Sequence, residues 1–180
     1  MKKLKLGFHI GIVAAWLLAV GCQSTPRDSG AAAANHPPVR TKESQAAMSP
    51  QEVVAELRAG NARFVAGQTQ VRYFPAELRA TAAGQHPMAV ILHCIDSRQP
   101  VEILFDQGIG DVFSARVAGN VLDEDMLGSM EFACRVSGAK LIAVVGHSGC
   151  GAIKGAIEDV QLGNLTGLVA KIKPAVNQVD

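Results

Sequence analysis

Aromatic residues are scarce in this chain: one Trp, one Tyr and six Phe among 180 residues. Gly and Ala are plentiful instead, which suits close helix-on-sheet packing and argues against an all-β sandwich. No excess of one charge is present. The formal net charge is +1, so nothing in the balance suggests nucleic acid or a strongly charged partner. A long hydrophobic run is also missing. The longest candidate, Leu6 to Val20, is short and broken by Gly7, His9 and Gly11, which makes it a poor membrane span. No internal repeat is present, which excludes a solenoid or propeller. What remains is ordinary for one globular domain: 48% apolar and 18% charged residues.

The amino terminus has the form of a secretory leader. Lys2, Lys3 and Lys5 precede the short apolar run, which ends Leu18-Ala19-Val20-Gly21-Cys22. Small residues before a cysteine resemble a bacterial lipoprotein cleavage box, although Ala19 stands where leucine is usual. Residues 1–22 are expected to be a signal peptide with Cys22 as the lipidated residue; the alternative is cleavage without a lipid. Gln23 is not the aspartate that commonly retains such proteins at the inner membrane. The expected location is therefore exported and periplasmic, anchored to an outer membrane by lipid alone. Residues 23–48 are rich in Ala, Ser, Pro and Thr without an apolar period, and are expected to form a flexible tether.

A folded domain is expected over residues 49–180. Ser49-Pro50-Gln51-Glu52 has the capping residue, first-turn proline and reciprocal glutamate of a helix start. Val53, Val54, Leu57 and Phe64 continue at helical spacing towards a stop at Gly67. Three short apolar runs of strand length follow: Met88 to Cys94, Asp111 to Val117, and Leu141 to Gly146. Helical stretches separate them at Pro100 to Asp106 and Leu122 to Val136, and two more follow at Ala152 to Val160 and Leu165 to Val176. Continuous apolar strands alternating with helices predict an α/β fold: a mainly parallel sheet flanked by helices, with an N-terminal helical arm. In such sheets ligands gather at the carboxyl ends of the strands. Cys94 ends the first strand and His147 follows the third, so both fall on one edge.

Of the four cysteines, Cys22 belongs to the leader and Cys134 sits among Phe132, Ala133 and Val136 as a structural thiol. Cys94, His147 and Cys150 remain. Two thiolates and one imidazole satisfy three positions of a tetrahedral zinc ion and leave the fourth open, as a catalytic zinc requires. His-x-x-Cys alone is weak evidence, because such a pair is often incidental. It gains force beside Cys94-Ile95-Asp96-Ser97-Arg98. Asp96 and Arg98 admit two readings: an ion pair that braces the loop, or a carboxylate held ionised and aimed at the reacting water. His93 adjoins Cys94 but points to the other face of the strand, which suggests a structural role.

Cys-x-Asp-Ser-Arg followed by His-x-x-Cys resembles the zinc signature of β-class carbonic anhydrases. Phe105-Asp106-Gln107-Gly108-Ile109-Gly110-Asp111-Val112-Phe113 and Arg116-Val117-Ala118-Gly119-Asn120 are similar to that family's central blocks, and Leu57, Gly60-Asn61 and Arg63-Phe64 to its first helix. The resemblance implies one zinc ion per chain on Cys94, His147 and Cys150. It further implies a catalytic dyad of Asp96 and Arg98, a substrate-binding Gln85, and reversible hydration of carbon dioxide to bicarbonate by zinc-bound hydroxide. It also implies a homodimer or higher oligomer with the cleft at the shared interface. Many relatives continue beyond the equivalent of Asp180 with a further strand and helix, so a fragment or a shortened form is expected. Two other functions keep the same ligands: a zinc-hydroxide hydrolase acting on a molecule such as carbon disulfide, and a non-catalytic zinc-binding lipoprotein. The second has no need of Asp96 and Arg98.

Overall fold

The computed structural model describes residues 37–179. The signal peptide with Cys22, most of the expected tether, and His36 lie outside the described residues. Three strands are present: β1 (Ala89–His93), β2 (Val112–Arg116) and β3 (Leu141–Val145). They form one parallel sheet in the order β2-β1-β3, with Leu92 level with Ala115 on one side and with Val144 on the other. All five residues of β1 are buried, which explains why its sequence is apolar throughout rather than alternating.

One face of the sheet is covered by α2 (Pro50–Val65) and α4 (Val101–Leu104). Val53 and Leu57 pack there with Ala89, Ile91 and Val101. The expected helix start holds in detail: the Ser49 hydroxyl accepts the Glu52 N–H, and the Glu52 carboxylate accepts the Ser49 N–H at 2.7 Å. The opposite face is covered by α5 (Glu124–Glu131), which widens into a π-type turn over Phe132–Val136. Met130 and Ala133 meet Val90 and Leu92, with half-buried Cys134 at the margin. Coverage on both faces, expected for every strand, is complete only for β1. The α5 layer lies over β1 and β2, so Ile142 and Val144 of β3 are 47% and 65% exposed. A third cluster joins α6 (Gly151–Ile157) to α7 (Gly163–Val176) through Ala156, Val169 and Ile172.

The carboxyl end of the segment expected to be a tether, residues 23–48, is ordered. Lys42–Ala47 forms α1, capped by Thr41, and Gln45 on it is buried. The Gln45 amide donates to the Pro87 carbonyl at 2.7 Å and the Ser137 carbonyl at 2.8 Å. Arg40 pairs with Glu56 at 2.6 Å. A polar composition concealed this order, because the segment is held by hydrogen bonds and ion pairs and offers no apolar period. The remaining short helix, α3 (Phe74–Ala80), lies between α2 and β1 in the chain.

Gly60 lies where α2 crosses the end of α4, and a methyl group there would overlap the Phe105 carbonyl. Helix propensity alone favours Gly60→Ala by about 1 kcal/mol. The collision reverses this, and the variant should lose about 2 kcal/mol or more of stability. Urea unfolding measures the change; an unchanged or raised midpoint would remove the close approach from the account.

Candidate metal centre

Parallel strands leave the sheet on the same edge, and the chemistry collects there. Cys94 directly follows β1, and His147 comes two residues after β3. Cys150 is the N-cap residue of α6, reached through a tight turn in which Gly149 has a φ of 64°. The ligand atoms of Cys94, His147 and Cys150 all lie within 4.8 Å of one another, the only such group among the described residues. Both sulfurs are buried.

The donor set fits a tetrahedral zinc ion. Two sulfurs each about 2.3 Å from such an ion stand about 3.8 Å apart, and Cys94 Sγ lies 3.9 Å from Cys150 Sγ. The imidazole is presented correctly. His147 Nδ1 donates to the Ser148 carbonyl at 3.1 Å, since a carbonyl can only accept, and this fixes the tautomer with a lone pair on Nε2. That Nε2 is buried and has no hydrogen-bond partner. An acceptor so placed beside two buried sulfurs fits a cation bound among the three. With three protein donors in the group, a tetrahedral ion held there would have one position left for water or substrate.

Burial pushes the Cys94 thiol up, but the polar groups around it, the Gly119 backbone foremost, together outweigh it and bring the thiol to about 7. Asp96 stands at the rim of this group, with Oδ2 3.8 Å from His147 Nδ1. Arg98 grips it three times: Nε to Oδ1 at 2.9 Å, Nη2 to Oδ2 at 2.7 Å, and the backbone N–H to Oδ1 at 3.0 Å. The guanidinium, then the backbone N–H, hold the Asp96 carboxyl well below the usual carboxylate range. Asp96 is thus an ionised carboxylate at any ordinary pH.

One expected site residue falls elsewhere, and one histidine has the structural part expected of it. Gln85 precedes β1 and lies beside Gly110, before β2, so it sits at the amino edge of the sheet. A five-residue strand of about 15 Å separates that edge from the metal ligands, and one chain does not bring Gln85 to them. His93 is fully buried, with Nε2 2.8 Å from the Ser114 hydroxyl, and burial lowers its pKa. It is structural, as its strand position indicates. A cleft of about 490 Å³ also lies at the amino edge, lined by Arg40, Arg63 and Arg72. These arginines are already paired with Glu56, Asp106 and Asp111, so the cleft is no rival to the metal group. Sequence reading missed Arg116: its Nε donates to the Cys94 carbonyl at 3.2 Å and its Nη2 to the Asp96 carbonyl at 2.8 Å. The spacing to Cys94 carried no hint of it, because it arrives from the neighbouring strand.

The sequence profile of the family described as carbonic anhydrase matches residues 89–180. The chain is 46% identical over 126 residues to carbonic anhydrase 2 of Mycobacterium tuberculosis, an alignment covering 67% of this chain and 61% of the relative. Its fold is similar to the b-carbonic anhydrase CafA of Aspergillus fumigatus, with a TM-score of 0.54 at 27% identity, covering 71% of this chain and 60% of that one. It is similar also to the tetrameric β-carbonic anhydrases of Sordaria macrospora, with a TM-score of 0.53 at 28% identity over 69% of this chain and 62% of that one. The parallel sheet with a thiolate and imidazole group on its carboxyl edge is that of the β class. The chain belongs to the carbonic anhydrase family. It spans about three-fifths, 61%, of the length of the mycobacterial relative.

Zinc binds the thiolate, so protons compete with it at Cys94 whenever the pH lies below about 7. Affinity should therefore fall as pH drops, by about tenfold per unit from this thiol alone. Competition against a chromophoric chelator at about pH 8 and about pH 6 reads the effect; equal affinity at both would remove Cys94 from the ligand set.

Proposed function

We propose that this chain catalyses the reversible hydration of carbon dioxide to bicarbonate and a proton, with one zinc ion held by Cys94, His147 and Cys150. The observation that carries this reading is the pairing of a three-donor group with an adjacent, Arg98-held Asp96. Zinc, when bound, supplies Lewis acidity that brings the pKa of water towards neutrality. The remaining work belongs to the protein. Cys94 and Cys150 place negative charge in a buried position, and the Ser148 carbonyl keeps His147 in the ligating tautomer.

Asp96 accepts a hydrogen from the attacking water and turns the oxygen lone pair towards substrate. Its three bonds to Arg98 keep it ionised and fix its direction. A protein that only stored zinc would gain nothing from an acid aimed and charged in this way, which favours the enzyme over the non-catalytic reading. Gln85 serves catalysis in this proposal only from a second copy of the chain, consistent with a cleft shared between protomers. Export with a lipid on Cys22 remains part of the proposal and rests on the leader sequence alone. Among the described residues no helix is long and apolar enough to cross a membrane.

Stopped-flow hydration of carbon dioxide by the full chain, with zinc counted in the same sample, tests the function directly. Asp96→Asn should retain zinc and lose about 100-fold or more in turnover. Zinc bound without turnover in the unaltered chain, at acid and alkaline pH, would favour the zinc-storage reading. Turnover of carbon disulfide in place of carbon dioxide would favour the other hydrolase.

A further inference from the structure

The sheet order creates a mechanical problem at the metal edge. Cys94 leaves the central strand, whereas His147 and Cys150 leave β3, and β2 stands on the far side. Pairing between β1 and β3 ends at His93 and Val145, so no ladder bond holds the residues that follow. Something else must set the distance between the Cys94 loop and the β3 exit.

The segment Arg116 to Asn120 meets that need. It leaves β2 and crosses the end of β1 towards β3. Val117 N–H donates to the His93 carbonyl at 3.1 Å. The Asn120 side-chain amide then donates to the Val145 carbonyl at 2.7 Å, two residues before His147. From the base of the strap, Arg116 grips the carbonyls of Cys94 and Asp96 on either side of Ile95. The strap is pressed from outside by α6 and α7: a Cβ on Gly119 would run into Ile172 and Ala152. Gly119 and Asn120 both have left-handed backbone, with φ of 68° and 56°, a conformation that glycine and asparagine accept most readily.

We propose that Asn120 and Arg116 are positioning residues of the metal centre, the first fixing the β3 exit that carries His147 and the second fixing the loop that carries Cys94 and Asp96. The inference rests on the reading of Cys94, His147 and Cys150 as zinc ligands. Groups one step removed from a metal orient its ligands, and their loss usually weakens binding by about 10- to 100-fold.

The test uses the full chain, with zinc affinity measured by chelator competition and ligand geometry by the visible spectrum of the cobalt(II)-substituted protein. Asn120→Gly keeps the left-handed backbone and removes only the amide. Asn120→Asp keeps the shape and removes the donor. Arg116→Lys keeps the charge but spans one carbonyl in place of two. Gln45→Ala is the control: it removes two hydrogen bonds, one buried and one half-buried, at the opposite edge of the sheet. Urea unfolding of each zinc-free protein places all four on one scale of stability. The expected result is about a 10- to 100-fold loss of zinc affinity and an altered cobalt spectrum in the Asn120 variants. Arg116→Lys should lose less, and Gln45→Ala should keep the unaltered chain's affinity despite its lower stability. Affinity and spectrum unchanged in the strap variants would overturn the proposal. An equal loss of affinity in Gln45→Ala at equal destabilisation would do the same, by reducing the strap to general stability. Failure of the unaltered chain to bind zinc would instead overturn the metal reading and the strap with it.

Discussion

The burial of β1 on every side is the constraint on which the rest of the structure depends. It is the middle strand, paired along its whole length to β2 and β3 and covered above and below by helices. A strand so enclosed cannot shift register without breaking two ladders and moving Ile91 and Leu92 to opposite faces. Cys94 is attached to its end, and so inherits a position set by the whole core. The other two ligands come from β3, which is held on one side only and whose outer residues Ile142 and Val144 are largely exposed. The site therefore has a firm half and a looser half. Arg116 and Asn120 act across that difference, reaching from β2 and the segment that leaves it.

The amino edge solves a separate problem by electrostatics. Asp106 and Glu77 are almost wholly buried, and Asp111 is 8% exposed, with its pKa raised by burial. Arg72, itself 9% exposed at the side chain, reaches Glu77 and Asp111, while Arg63 pairs with Asp106. The Phe105 to Asp111 loop folds around these groups, with the Ile109 N–H on Glu77 and the Gly108 N–H on Asp111. Buried pairs of this kind add little net stability, because desolvation offsets most of their attraction. Removing one partner, by contrast, strands a charge. Their effect is to specify how α2, α3 and this loop meet, which apolar contacts alone do loosely.

Sequence legibility followed the physics of each element. The three strands and the major helices were readable because burial imposes a period or an unbroken apolar run, and the capping box at Ser49 is a local code. The grouping of Cys94, His147 and Cys150 was readable because few side chain types bind zinc and strand ends locate them. The Asp96 to Arg98 contact was readable for its short spacing. What failed was polar and distant. Gln45 on α1 answers carbonyls 42 and 92 positions away, and Arg116 answers carbonyls 22 and 20 positions away. Neither separation leaves a periodic mark. Gln85 was placed by resemblance alone, with no pattern of its own residues behind it, and it falls at the opposite edge of the sheet from the Cys94, His147 and Cys150 group.

Cys94 and Cys150 stand 56 positions apart in the chain, and that separation links the site to folding. The chain makes β1, runs outward to β2 on one side, then returns over the end of β1 to build β3 on the other. Until the return is complete, one sulfur is present without its partners, and a chain with unpaired thiolate ligands holds zinc weakly. The strap lies on that return path, so the hydrogen bonds that close the crossing also gather the ligands. Metal affinity and correct closure of the sheet are then two readouts of one event. A zinc ion held at the finished edge, as proposed, would favour the closed topology over any arrangement in which β3 has not docked, by the linkage that applies to any ligand selective for the native state.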